Sequence, residues 1–168
     1  MSAQQRIVVG VDGSDHSREA VRYAIAEAAR RGAEVLAVQA FELPDTTWVE
    51  GFEVVVAPSP SEVTINVESR TRGMLRAMAE EIGGAARSVP VDAVAILGPP
   101  GKALLEQARD ADLLVVGHRG RGAVTSRVLG SVGLHVVLHA PCPVTVVPLA
   151  PVAEPVAETV MQVAPAEA

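Results

Sequence analysis

A chain of 168 residues, 49% of them apolar, is long enough to bury the core of one domain, and with 2% aromatic residues that core must be filled by Val, Ala, Leu and Ile. Such a composition suits a buried parallel sheet flanked by helices better than an all-β sandwich. The formal net charge of -6 repels phosphate backbones and anionic lipid, which argues against nucleic acid and membrane partners, and a single cysteine, Cys142, excludes an internal disulfide.

Met1 to Arg6 is polar and runs straight into strand-like sequence, without a signal-type apolar region or a stretch long enough to span a bilayer, so a soluble cytoplasmic protein is expected. Arg6 to Asp12 is a short β-branched apolar run that stops at Gly13-Ser14 and predicts a buried strand. Ser14 suits the N-cap of a helix in which Val21, Ala24, Ile25 and Ala28 recur at helical spacing until Gly32. Ala33 to Phe41 predicts a second strand, and Glu42 to Pro60, which contains Trp48 and has no clear period, predicts an irregular connection.

Ser61 is expected to open a long helix with Val67, Met74, Leu75, Met78 and Ile82 along one side, closed by Gly83-Gly84. A third strand follows at Val89 to Leu97. The turn Gly98-Pro99-Pro100-Gly101 then leads into a short helix with Leu104, Leu105 and Ala108 on its inner face. Asp112 to Gly117 predicts the fourth strand, Ser131 to Ala140 the fourth helix and Pro143 to Pro148 the fifth strand. Residues 150–168 repeat Ala, Pro, Val and Glu without a period and predict a disordered tail, which leaves 1–149 as the domain.

Five strands alternating with four helices imply right-handed crossovers and a parallel, doubly wound, Rossmann-like α/β sheet. Where strand order reverses in such a sheet, a crevice opens beyond the carboxyl ends of the strands. The loops after the first and fourth strands are therefore the candidates for a site.

After the fourth strand the sequence reads Gly117-His118-Arg119-Gly120, then nine residues, then Gly130-Ser131 at the start of a helix. Glycines let the main chain approach an anion, and the unpaired amides and dipole at the helix start favour negative charge. Ser131 adds a hydroxyl donor, and Arg119, Arg121 and Arg127 make the loop locally cationic in an acidic protein. Together these features point to phosphate binding.

The stretch Gly117-x2-Gly120-x9-Gly130-Ser131 resembles the G-x2-G-x9-G-[ST] signature of the ATP-binding branch of the universal stress protein family. Val9 to Ser14 resembles that family's opening strand and turn, and His139 to Val144 its approach to the last strand, so the likeness runs from Arg6 to Pro148. The resemblance implies a five-stranded parallel sheet in the order 3-2-1-4-5 with ATP, or ADP, AMP or cyclic AMP, lying across the ends of the first and fourth strands. By position, Val11 and Asp12 would line the nucleoside, and Val38 would border the adenine. Gly117, Arg119, Gly120, Gly130, Ser131, Val132 and Gly133 would hold ribose and phosphates. It further implies Mg²⁺ with a triphosphate and a homodimer formed through the last strand, Val144 to Val147.

Two positions depart from the family pattern. Gly133 stands where relatives often carry a second hydroxyl, and Gly101-Lys102 replaces a more acidic turn, with Lys102 expected to face solvent. Other readings stay open at the residue level. The glycine stretch can be a plain surface loop, Asp12 can serve only turn capping, and the three arginines can be a solvated face. His135 and His139, at i, i+4, lack a third metal ligand in the pattern of zinc enzymes, and Cys142 reads as an inert thiol. Trp48 reads as packing.

The function expected is a nucleotide-binding regulatory protein of the stress response with slow ATP hydrolysis or none, since no residue near the motif is placed as a general base. The alternatives are a nucleotide-free dimeric interaction module of the same fold, and an ATP-using enzyme, which would need a further substrate domain.

Overall fold

Five apolar runs line up in parallel to make the sheet: β1 (Arg6–Gly10), β2 (Glu34–Phe41), β3 (Val91–Leu97), β4 (Leu113–Gly117) and β5 (Val144–Val147). The computed structural model describes residues 4–42, 59–120 and 129–149. The strand order is β3-β2-β1-β4-β5, so β1 is central and the order reverses between β1 and β4. Ile7 lies opposite Val35 on one side and Leu113 on the other, which fixes both registers at the heart of the core.

Alternation along β1 divides the core in two. Ile7 and Val9 pack with Ala24 and Ile25 of α1 (Asp15–Arg31) and with Leu75 of α2 (Pro60–Ile82). Val8 faces the other way, against Leu104 of α3 (Pro100–Gln107) and Val136 of α4 (Ser131–His139). The sheet is thus covered on both faces, as continuous β-branched runs require. No helix among the described residues is long and apolar enough to cross a membrane.

Local chemistry sets the boundaries. Ser14 caps α1 by accepting from Ser17 N at 3.2 Å, and Gly32 ends that helix at φ 67° in the left-handed conformation. α2 starts earlier than Ser61: Ser59 is its N-cap and forms a reciprocal capping box with Glu62, while Pro60 takes the first helical position. β1 stops at Gly10 rather than Asp12 because the Asp12 carboxylate turns back on Ser14. Trp48, most of the Glu42 to Pro60 connection and the tail lie outside the described residues.

Candidate functional site

The carboxyl ends of the strands border a cleft of about 700 Å³. That is the size class of small-molecule sites. Its floor is apolar: Val11 and Val38 are almost fully buried, and the Val11 amide donates to Val38 O at 2.9 Å, joining the ends of β1 and β2. From the other side of the strand reversal, Gly117, Arg119 and Gly120 line it, followed by Gly130, Ser131, Val132 and Gly133 at the start of α4.

The start of α4 is open in a particular way. Gly130 is its N-cap in extended conformation and brings no side chain to cap the helix. Its own amide donates to His118 O at 3.0 Å, and its carbonyl accepts from Leu134 N at 2.9 Å. Among the described residues nothing accepts from the amides of Ser131, Val132 and Gly133 one turn back, and these amides lie where the helix dipole is positive. Such a start, built from main chain, can act as a cradle for an anion without any side-chain charge.

The glycines of the loop have separate reasons to be glycine. A Cβ on Gly117 would stand 2.7 Å from both C and O of His16, so only a bare Cα lets the end of β4 lie against the first turn of α1. A Cβ on Gly120 would stand 2.7 Å from Asp12 Oδ2. A Cβ on Gly133 would meet Leu129 Cδ1 at 2.8 Å. At Gly130 the nearest atom would be Arg119 Cα at 3.6 Å, an ordinary contact.

Asp12 lines the cleft and also holds the turn: Oδ1 accepts from Ser14 N at 2.9 Å and from Ser14 Oγ at 2.7 Å. Thr71 Oγ1, buried on α2, donates to Gln39 Oε1 at 2.8 Å and braces the last part of β2 beside the cleft. Among the described residues, no group of three or more His, Cys, Asp or Glu side chains could hold a metal ion.

The profile of the universal stress protein family matches residues 4–148. The chain belongs to the universal stress protein family. A universal stress protein of Thermus aquaticus is 39% identical over 144 residues, covering 84% of this chain and 96% of that protein. One from Mycobacterium bovis is 33% identical over 137 residues, covering 80% of this chain and 42% of that protein, so the chain spans less than half of that relative's length. Among solved structures, a universal stress protein from Lactobacillus plantarum superposes with a TM-score of 0.64 at 25% identity, over 87% of this chain and 99% of that one. A universal stress protein in complex with cAMP superposes with a TM-score of 0.59 at 27% identity, over 89% and 100%.

In this universal stress protein all ten residues singled out from sequence stand on one cleft. Arg121 and Arg127 lie outside the described residues. Lys102 points to solvent, its side chain 76% exposed and 3.9 Å from Glu106. Gly101 has a packing reason: a Cβ there would meet the His135 ring at 2.6 Å, so α4 lays this ring over α3 at a position without a side chain. His135 and His139 stack with centroids 4.7 Å apart. Burial, and then the charge of Asp112, pushes the Cys142 thiol above its ordinary range, which fits an inert thiol.

Sequence reasoning missed the wall made by Ala40, Phe41, Gly98 and Leu104. Ala40 is the informative omission. Strand alternation gives Ala40 the same edge as Val38, whose carbonyl faces β1, but β1 ends at Gly10, opposite Val38. The peptide N–H and C=O of Ala40 are thus turned toward the cleft with no strand residue facing them. The signal was the greater length of the second apolar run.

Proposed function

We propose that this protein binds an adenine nucleotide, ATP in the first instance, and acts as a cytoplasmic regulatory component of the stress response with little or no hydrolysis. What carries the reading is the start of α4, where the N-cap Gly130 brings no capping side chain, opening onto a cleft whose floor is Val11 and Val38. Phosphate oxygens fit the amides of Ser131 to Gly133. A flat base fits the apolar floor, where the Ala40 peptide edge offers one donor and one acceptor side by side. The cAMP complex of a relative 27% identical supports the same ligand class.

Mg²⁺ belongs to this reading through the triphosphate, whose oxygens would supply the ligands. Among the described residues two carboxylates line the cleft, Asp12 and Glu42, and the engagement of Asp12 Oδ1 by Ser14 supports slow turnover or none. A homodimer through Val144 to Val147 completes it. α4, which contacts β5, leaves Leu134, Val137 and Leu138 exposed at 48%, 46% and 67%, an apolar stripe suited to burial in an assembly. One observation favours the nucleotide-free module instead: Leu129 occupies the space beside Gly133 where a second hydroxyl would stand.

Mass spectrometry of gently denatured protein tests retention of ATP, ADP, AMP or cyclic AMP. Calorimetry on Gly130→Asp separates binding from folding. Aspartate is a good N-cap and meets no close atom here, so thermal stability holds or rises, while its carboxylate in the cradle lowers ATP affinity by about tenfold or more. Unchanged affinity would refute the proposed site.

A further inference from the structure

The two edges of the sheet differ. On β3 the outward amides of Ala93 and Ala95 are both taken by carboxylates: Asp92 Oδ1 accepts from Ala93 N at 2.8 Å, and Glu68 Oε1 of α2 accepts from Ala95 N at 3.1 Å. On β5, Pro143 O accepts from Leu114 N and Val147 O accepts from His118 N, so these residues face β4. By strand alternation the peptide groups of Val144 and Val146 then face away from the sheet. Pro143 and Pro148 bracket the strand, so the edge offers two residues' worth of donors and acceptors. Antiparallel pairing with a second copy satisfies all of them when Val144 of each copy lies opposite Val146 of the other, with the twofold axis at Thr145.

This edge is joined to the anion cradle by a single residue. His118 N donates to Val147 O at 2.8 Å, and His118 O accepts from Gly130 N at 3.0 Å. Two hydrogen bonds therefore run from β5 to the N-cap of α4. Gly117, just before His118, is already wedged against the main chain of His16, so a displacement of β5 cannot be absorbed toward α1.

We propose that pairing of the β5 edge with a second copy and occupation of the cradle are coupled through the main chain of His118. The proposal rests on the nucleotide and dimer reading above. Pairing fixes β5, fixing β5 restrains His118, and a restrained Gly130 presents the amides of Ser131 to Gly133 already in position, so a ligand has less ordering to impose. Linkage requires the converse: the nucleotide tightens the dimer by the same factor.

Two variants test this on the full chain. Val146→Pro removes an outward amide that the sheet itself does not use, and Thr145→Lys sets like charges face to face across the axis. Sedimentation should show wild-type dimer and monomeric variants. Calorimetry should show ATP held about tenfold more weakly by either monomer. Hydrogen exchange without ligand should show the amides of His118 and Gly130 exchanging faster in the variants. A folded monomer with wild-type ATP affinity and wild-type protection at Gly130 overturns the coupling and leaves the nucleotide reading standing. A wild-type protein that binds no nucleotide refutes that reading instead. In that case faster exchange at Gly130 in the monomers still supports the link, and equal exchange overturns it. A wild type that stays monomeric at all concentrations overturns the proposal outright, and if Val146→Pro fails to fold, Thr145→Lys decides.

Discussion

The carboxylate of Asp12 rests against the main chain of Gly120, so close that a methyl group on Gly120 would lie 2.7 Å from Oδ2. The carboxylate cannot swing aside freely, because its other oxygen is tied to the amide and hydroxyl of Ser14. Gly120→Ala should therefore lower stability by about 1–2 kcal/mol and weaken ATP binding. A double-mutant cycle with Asp12→Ala in urea titrations checks it: if the clash is with this carboxylate, the combined cost is less than the sum.

Gly117→Ala should be worse, costing about 1–3 kcal/mol, because the obstacle at 2.7 Å is the His16 backbone and not the end of a side chain. Gly73→Ala is the control. Gly73 lies inside α2 with nothing within 4 Å of a new Cβ, so that change should stabilise by about 0.5–1 kcal/mol. Denaturant midpoints moving in opposite directions would bear this out.

Gly133→Ser alone should not improve ATP binding, since Leu129 Cδ1 stands 2.8 Å from the new Cβ. Combined with Leu129→Ala, the serine gains room and its hydroxyl can reach the cleft. The double variant should then bind ATP up to about tenfold more tightly than Leu129→Ala alone, as one added hydrogen bond allows. Calorimetry of the four proteins in the cycle measures it.

Glu27 gives the fold a pH dependence of known sign. Its hydrogen bond from Arg31 at 2.6 Å, aided by Arg30 at 3.0 Å, holds the carboxyl below its ordinary range against the opposing effect of burial. A depressed carboxylate stabilises fully above the unfolded-state value near 4.3 and loses that contribution as pH falls through the lower folded value. Wild type should exceed Glu27→Gln in stability at pH 7, and the gap should close as pH falls below the unfolded-state value and through the lower folded one. Thermal melts across that range test it.

The strands, the helices and the loops that border the cleft were legible because apolar runs and glycine stops occur locally along the chain, whereas the strand order came only with the family resemblance carried by the long glycine spacing. Ala40 was not, since its exposed peptide edge depends on where β1 ends relative to β2, a comparison between distant segments. The two roles offered for Asp12, turn capping and cleft lining, prove compatible, for its two oxygens face Ser14 and Gly120. At α2 the Ser59-x-x-Glu62 box was present in the sequence, but Ser61 competed for the same role until Pro60 settled into the first turn. Gly101 departs from the family pattern for a reason visible only when His135, far along the chain, is laid over it.

The carboxylates of Asp92 and Glu68 have a consequence for growth. A sheet protein that can add strands at both margins can polymerise into a fibre. Here one margin has two of its outward amides already taken, so two molecules joined at their receptive margins would show only the less receptive ones to the outside. Further association along the sheet is then disfavoured once the pair has formed.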